Sequence, residues 1–152
     1  MRLKVLSALA AALLLAACAS SKDEGGNNAA APTPGSVEEF NQSIGDRVFF
    51  DTDRFDLTGD DQAQLQKQAA WLVKYPNYKV TVEGHADERG TREYNLALGE
   101  RRANSAANYL IALGVDKARV TAISYGKERP AVEGQDEAAW SQNRRAVTAL
   151  SQ

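Results

Sequence analysis

The sequence predicts an α/β protein of the α+β class, a two-layer sandwich in which helices cover one face of a small mixed sheet. Segments with helical periodicity are interspersed with short strand-like segments, and one of these strands alternates apolar and polar residues, which is typical of a strand buried on one face. The chain of 152 residues, 43% of them apolar, is long enough for one domain of ordinary size and too short for a second full one.

The first predicted elements are a short helix and a strand. Ser36, with Glu39 at the third place after it, is a capping-box pattern, which predicts a helix that Gly45 ends. Residues 47 to 51 are apolar at their centre and predict a strand that enters the core.

A long helix and an alternating strand are predicted next. Thr58, followed three residues later by Asp61, indicates the cap of a helix over residues 59 to 75. The apolar positions of this helix recur at helical spacing at Leu65, Ala69 and Leu72. In residues 78 to 84 the apolar side chains alternate with polar ones, and the core-facing set is Tyr78, Val80 and Val82.

The second half of the chain predicts another long helix and three shorter elements. The helix covers residues 93 to 113 and ends at Gly114. The shorter elements are a strand over 120 to 125, a helix over 136 to 142 and a final strand over 144 to 150.

The N-terminal 17 residues have the layout of a secretory signal peptide. Their apolar run would reach only about 20 Å as a helix, short of the roughly 30 Å of bilayer hydrocarbon. The run ends in Leu15-Ala16-Ala17-Cys18, which resembles the bacterial lipobox, and Cys18 is the single cysteine of the chain. This resemblance implies lipidation of Cys18 and, since Ala19 follows it, a lipid anchor in the outer membrane with the domain in the periplasm. An ordinary signal peptide with an incidental cysteine is the alternative.

Residues 18 to 35 are expected to form the lipidated N-terminus and a flexible linker, and residues 36 to 152 the folded domain. The linker is composed of small and polar residues that cannot bury enough apolar surface to offset their ordering entropy. Fully extended, it would reach roughly 60 Å.

The charge balance and the cysteine count exclude several classes of protein. The net charge of −2 gives no basic excess for a nucleic-acid partner. A single cysteine excludes a disulfide framework and a zinc cluster built on several thiolates. We expect no metal and no cofactor.

An arginine interrupts the apolar stripe of the helix predicted over residues 93 to 113. Arg102 lies among apolar positions, and a buried arginine is costly unless its charge is met. The loop that precedes the helix carries Asp87, at the end of a strand and near a helix N-terminus, where ligands collect in α/β folds. Held near each other, Asp87 and Arg102 would be complementary to a zwitterion, or would form an internal salt bridge between loop and helix. The residues alone leave both readings open. The stripe is formed by Leu98, Ala106, Leu110 and Leu113.

Three segments resemble the signature of OmpA-like peptidoglycan-binding domains, and within them the peptidoglycan-associated lipoproteins of the Tol-Pal system. They are VTVEGHADERGT at 80 to 91, NLALGERRA at 95 to 103 and SYGKERP at 124 to 130, within a likeness that covers roughly residues 46 to 150. Departures from the signature are Gly99, where serine is frequent, and Ala106, where valine is frequent. The resemblance implies a protein that anchors the outer membrane to peptidoglycan, with a role in envelope integrity and cell division.

The resemblance also assigns roles to residues. It implies that Asp87 binds the ammonium and Arg102 the carboxylate of meso-diaminopimelate in the stem peptide, and that Asn95 fixes the loop. One arginine of Asn143-Arg144-Arg145 is expected to buttress the site. Alanine at Asp87 or Arg102 is expected to abolish binding and to leave the fold largely intact. Further candidates for lining the pocket are Phe50, Asp51, Asp53, His85 and Thr91.

Two other functions compete with cell-wall binding. The resemblance implies TolB, a periplasmic propeller protein, as a partner on an overlapping surface, so the chain could be mainly a protein-binding module. A cell-wall hydrolase would need an acid-base group, for which His85 with Asp87 and Glu83 is the candidate. No recognisable nucleophile motif accompanies this single histidine, so we expect no enzyme.

Overall fold

A computed structural model of the chain describes residues 30–152. The predicted signal segment, Cys18 and most of the predicted linker lie outside the described residues. Residues 31–152 form one compact unit. Within the described part, none of the helices combines the length and the apolar character that crossing a membrane would require.

Helices and strands follow one another in the order that the sequence predicts. The helices are α1 (Val37–Glu39, continued by a π-helical turn over Phe40–Gly45), α2 (Gly59–Lys74), α3 (Arg92–Ala112) and α4 (Glu137–Asn143). The strands are β1 (Arg47–Phe49), β2 (Lys79–His85), β3 (Val120–Gly126) and β4 (Arg145–Ser151), and a short 3₁₀ turn, Lys117–Arg119, precedes β3.

The four strands form one mixed sheet in the order β1-β4-β2-β3. β2 runs parallel to β3, whereas β4 lies antiparallel between β1 and β2. At the centre of the sheet, Val82 lies opposite Ala122 on one side and Thr148 on the other. The predicted α+β class with a mixed sheet is confirmed.

The hydrophobic core lies between one face of this sheet and helices α2 and α3. β2 contributes Val80 and Val82, which are 1% and 0% exposed, while its polar residues face the other side. The predicted alternation of this strand is therefore correct. The principal core contacts of the helices come from Leu65, Ala69, Leu72, Ala103, Ala106 and Leu110.

The helix caps follow from local sequence. The Thr58 hydroxyl accepts from the main-chain N–H of Asp61, whose carboxylate accepts from the Thr58 N–H, so the predicted capping box is complete. At Ser36 only half of the box forms. Its hydroxyl accepts from the Glu39 N–H, but the Glu39 carboxylate accepts instead from Gly35 N and from the indole of Trp71. Gly35, the last residue of the predicted linker, thus contacts the domain.

Three details differ from the sequence prediction. The first strand ends at Phe49, before the predicted residue 51, because the chain turns near Asp53, which has a φ of 58°. The first helix widens into the π-helical turn. Leu113, predicted in the buried stripe of α3, is 37% exposed because it is the C-cap of that helix, beside Gly114.

Helix α3 approaches strand β2 closely through a pair of glycines. A Cβ atom on Gly84 would lie 1.7 Å from the carbonyl oxygen of Gly99, and one on Gly99 would lie 2.9 Å from the carbonyl oxygen of Gly84. Gly99 therefore allows the helix to pack against the strand, at the cost of helix propensity. This contact places the start of α3 beside the end of β2.

Candidate functional site

A cavity of about 360 Å³ opens where β2 ends and α3 begins. Asp87 and Arg102, the two residues that the sequence singles out, both line it. Its wall is completed by Thr52, Asp53, Arg89, Gly90, Tyr94, Asn95 and Leu98.

Arg102 is buried, with 0% of its surface exposed, and its charge is met by the main chain. Its guanidinium donates to the carbonyl oxygens of Arg54 at 2.8 Å, His85 at 2.9 Å and Asp51 at 3.0 Å. Burial lowers the pKa of Arg102 to about 10, with the charge of Asp87 opposing this shift, so the side chain is a cation at neutral pH. Three carbonyl dipoles, rather than a carboxylate, thus compensate the charge within the protein.

Asp87 is 7% exposed and carries two cationic partners. Its carboxylate accepts from Arg89 at 2.7 Å and lies 3.5 Å from Arg144. Burial favours a higher pKa for Asp87, but the hydrogen bonds and charge of Arg89, with the help of Arg144, hold the pKa below its usual range. Among the residues that the structure describes, the ion-pair partners of Asp87 are Arg89 and Arg144, so the internal salt bridge to Arg102 does not form.

Arg144 lies behind Asp87, in the position expected of a buttress. It is 5% exposed, donates to the carbonyl of Phe50 at 2.8 Å and pairs with Glu137 at the start of α4. The helix thereby supports the carboxylate through one arginine. Arg145 instead points elsewhere and donates to the carbonyl oxygens of Asn143 and Arg129.

The loop between β2 and α3 is fixed from the helix. The amide of Asn95, which is 2% exposed, donates to the carbonyl of Arg89 at 2.8 Å. Gly90 has a φ of 96°, a conformation that favours glycine, and Thr91 caps α3 by accepting from the Tyr94 N–H. These contacts fix the C-terminal part of the loop, from Arg89 to Thr91.

The other predicted candidates fall into different places. Asp53 lines the cavity and accepts a hydrogen bond from the Tyr94 hydroxyl at 3.0 Å. Phe50 is buried, with its ring 5.3 Å from the Arg102 guanidinium. Asp51 touches Arg102 only through its main-chain carbonyl, and Thr91 acts as the helix cap.

The ring of His85 does not line the cavity, although its main-chain carbonyl binds Arg102. The ring is buried near Tyr125, and Nε2 lies 3.8 Å from the Glu83 carboxylate. Burial, followed by the charges of Arg145, Arg129 and Arg47, lowers the pKa of His85 to about 4. The alternation of β2 already indicates this orientation, since Glu83 and His85 are two residues apart and share a face.

Sequence reasoning missed several residues of the cavity. Arg89 and Tyr94 were not singled out, nor was Thr52, whose hydroxyl lies 3.3 Å from the Arg89 guanidinium. A local signal exists for Arg89, because an arginine two residues after an aspartate in a turn can reach back to it. Nothing in the spacing brings the turn at Thr52 to the same place.

The cavity combines fixed charges of both signs. Arg102 and Asp87 both belong to the wall of one space, a pair of opposite charges that suits a ligand carrying an ammonium and a carboxylate. Across residues 30–152, no group of three or more His, Cys, Asp or Glu side chains is placed to hold a metal ion.

Comparison with known proteins places this geometry in a family. The family model of the OmpA family matches residues 49–144, which include the whole cavity wall. The chain belongs to the OmpA family. Within it, the chain is 59% identical over 120 residues to a peptidoglycan-associated lipoprotein of Rhizobium meliloti, which covers 79% of this chain and 68% of that protein. Identity to the protein of the same name from Haemophilus influenzae is 50% over 114 residues, 75% of this chain and 74% of that one.

Two solved structures share the fold of this chain. The crystal structure of the peptidoglycan-associated lipoprotein from Burkholderia pseudomallei, 41% identical, matches with a TM-score of 0.71 over 75% of this chain and 98% of that one. The C-terminal domain of Helicobacter pylori MotB matches with a TM-score of 0.66 over 70% of this chain and 84% of that one, but at 21% identity it shows the fold alone.

Proposed function

We propose that this protein is an outer-membrane lipoprotein that binds peptidoglycan without covalent linkage, through meso-diaminopimelate of the stem peptide. The observation that carries the proposal is the presence of Asp87 and Arg102 in the wall of one cavity. The free end of diaminopimelate bears an ammonium and a carboxylate, which the two side chains complement. The names of the relatives support peptidoglycan as the partner.

Donors remain on Arg102 for a ligand. The hydrogen bonds to the three carbonyls use its Nε–H and one N–H of each terminal nitrogen. A guanidinium has five N–H donors, so one N–H of each terminal nitrogen takes no part in these three bonds, and we propose that it is used by the ligand carboxylate. Because the guanidinium is buried and held by three bonds, it is preorganised and loses little freedom when the ligand binds.

The membrane end of the molecule is proposed from the sequence. Cleavage before Cys18, with lipid on its sulfur, would fix the protein to the outer membrane, since two or more acyl chains hold a protein stably where one does not. The linker would let the domain reach cell wall in the periplasm. Metabolic labelling with a fatty-acid analogue tests this, and a Cys18→Ser variant that still carries the label would contradict it.

We further propose that the protein acts by binding and that TolB competes with peptidoglycan for the same face. The ring of His85, the single histidine, does not line the cavity, so it cannot reach a ligand there. Its pKa of about 4 also keeps it neutral at neutral pH, which does not suit a general acid. The family resemblance supports TolB as the second partner, with a role in the Tol-Pal system and cell division. Turnover of muropeptide by the purified protein would contradict action by binding alone. A ternary complex with both partners at saturation would contradict the competition.

The binding site is tested by titrating the protein with a muropeptide that contains diaminopimelate. Asp87→Asn removes the anion and nearly preserves the shape of the side chain, and we expect it to weaken binding by about 2 to 5 kcal/mol, as is typical for losing one partner of a desolvated charged contact. Asp60→Asn is the matched control, because it makes the same change of charge at an exposed residue outside the cavity. Equal affinity of Asp87→Asn and the wild type would refute the assignment.

A further inference from the structure

The carboxylate of Asp87 has its acceptor positions occupied by the protein itself. Oδ1 accepts from the main-chain N–H of Arg89 and from its Nε–H, both at 3.1 Å. Oδ2 accepts from Nη2 of Arg89 at 2.7 Å and lies 3.5 Å from Nη1 of Arg144. A carboxylate offers about four lone-pair sites, so an ammonium can approach closely only if one of these donors leaves.

The two arginines differ in how firmly they are held. The Arg144 side chain is 6% exposed and is bonded to the Phe50 carbonyl and to Glu137 as well. The Arg89 side chain is 39% exposed, and its hydrogen bonds besides those to Asp87 amount to one of 3.3 Å to the Thr52 hydroxyl. Arg89 is therefore the donor that can leave.

The Arg89 guanidinium also stacks on the Trp140 ring. Its central carbon lies 4.0 Å from the centroid of the Trp140 ring, a cation-π contact that does not involve Asp87. Trp140 is itself fixed, since its indole donates to the Glu88 carboxylate at 3.1 Å. Loss of the bonds to Asp87 therefore does not by itself remove this contact.

We propose that the Arg89 guanidinium is an internal occupant of the ammonium subsite, which a ligand cation must displace from Asp87. This inference rests on the proposed function, because it concerns the same cavity. Binding is then an exchange of one cation for another at Asp87, while Arg102 receives the ligand carboxylate. A ligand with a neutral group at this end cannot take the place of Arg89, so the exchange selects for a free amine.

Truncating the Arg89 side chain leaves the loop attached. The main-chain N–H of Arg89 donates to Asp87, and its carbonyl accepts from Asn95, and neither bond uses the guanidinium. Arg89→Ala therefore separates displacement of the guanidinium from loss of the loop.

The test compares the affinity of variants for a muropeptide that carries diaminopimelate, by isothermal titration calorimetry. Arg89→Ala removes the internal cation, and we expect it to bind about fivefold more tightly than the wild type, since a partly exposed ion pair contributes modestly. Arg89→Lys retains a cation with fewer donors, so its affinity should lie between those of the wild type and Arg89→Ala. Arg92→Ala is the control for the change in net charge, because the Arg92 side chain is 75% exposed and pairs with Glu128 outside the cavity.

The possible outcomes separate this inference from the proposed function. If the wild type binds and Arg89→Ala binds equally or more weakly, Arg89 is not an internal occupant, although the cavity is still the binding site. If the wild type does not bind the muropeptide, both proposals fail. An N-acylated muropeptide, in which the free amine is blocked, should bind the wild type and Arg89→Ala with at least tenfold lower affinity, and unchanged affinity would overturn the exchange. Circular dichroism confirms folding, and Arg89→Gln replaces the alanine variant if that one does not fold.

Discussion

Replacing Arg102 by alanine should destabilise the domain as a whole, and not only its cavity. The guanidinium joins α3 to the end of β2 and to the turn after β1, through the carbonyl oxygens of His85, Asp51 and Arg54. Alanine would leave three acceptors without their donor and a void beside Phe50. The expectation from sequence alone is that this variant leaves the fold largely intact, whereas these contacts predict a substantial loss of stability.

The magnitude follows from which acceptors water can reach. The bond to the His85 carbonyl is buried, and an unsatisfied buried acceptor costs about 1 to 3 kcal/mol. The acceptors at Asp51 and Arg54 lie on exposed residues, where water can replace the donor, so each loss costs about 0.5 to 1 kcal/mol. We expect a total of about 2 to 5 kcal/mol, a large part of the 5 to 15 kcal/mol that is typical of a small domain.

Urea unfolding followed by far-UV circular dichroism measures this loss. Arg101→Ala is the matched control, since its side chain is exposed and stacks only on Phe55 among the aromatic rings of the described residues, and we expect a change within about 0.5 kcal/mol. If Arg102→Ala unfolds at the same midpoint as Arg101→Ala, the guanidinium does not hold these segments together. The same measurement decides whether lost cell-wall binding by Arg102→Ala reports on the ligand contact or on the fold.

Three further predictions concern stability. Folding lowers the pKa of His85 to about 4, from an ordinary value near 6.5. Between pH 6.5 and pH 4 the histidine is therefore protonated in the unfolded chain and neutral in the folded one, which favours unfolding. Stability should therefore fall by about 1 to 2 kcal/mol between pH 8 and pH 5 in urea titrations, and an equally steep fall in His85→Gln would contradict this. Gly99→Ala should lower the melting temperature by an amount equivalent to about 1 to 3 kcal/mol, because its Cβ atom would meet the Ser124 hydroxyl and the Gly84 carbonyl, and Gly84→Ala by more, because its Cβ atom would meet the Gly99 carbonyl; a stabilised Gly99→Ala would show that helix propensity outweighs the contacts. Thr58→Ala removes the capping box of α2 and should cost about 1 kcal/mol in chemical denaturation, and no change would mean that Asp61 caps the helix alone.

The elements that the sequence predicts well are those with a strong local signal. The capping pair of Thr58 and Asp61 and the helical spacing of Leu65, Ala69 and Leu72 define α2 to within one residue at its C-terminal end. The alternation of β2 predicts its buried face and, to within one residue at each end, its extent. Caps and periodicity are properties of a few neighbouring residues, so they can be deduced before the tertiary structure is known.

The environment of Arg102 could be predicted only in part. Its position in an apolar stripe indicates burial, and the structure shows a fully buried side chain. Its acceptors are main-chain carbonyls from residues 51, 54 and 85, and a carbonyl group has no sequence signature because every residue carries one. A prediction that looks for a side-chain anion to match a buried cation therefore misses this solution.

For His85 the local pattern and the family resemblance give different predictions. The alternation of β2 indicates that the ring faces away from the core side, whereas the resemblance makes it a candidate for lining the pocket. Its neighbour in the motif, Asp87, lines the cavity, but the pleat of β2 turns the His85 ring to the other face of the sheet. Membership of a motif does not determine the direction of a side chain, whereas the period of a strand does.

The charges around the cavity are unequally paired, and a carboxylate partner for Arg102 is the missing group among the described residues. Arg144 has a carboxylate partner in Glu137, and Asp87 has a surplus of cations, Arg89 and Arg144. Within the cavity wall, Arg102 is a buried cation whose hydrogen bonds go to carbonyl dipoles, which compensate a charge less completely than an anion does. A ligand carboxylate at Arg102 would complete that compensation, and a ligand ammonium at Asp87 would replace Arg89 without adding charge there. In the proposed function, the carboxylate of a zwitterion therefore improves the match at Arg102, while its ammonium leaves Asp87 as well paired as in the free protein. A simple amine gains nothing at Arg102, and a simple anion leaves Arg89 on Asp87.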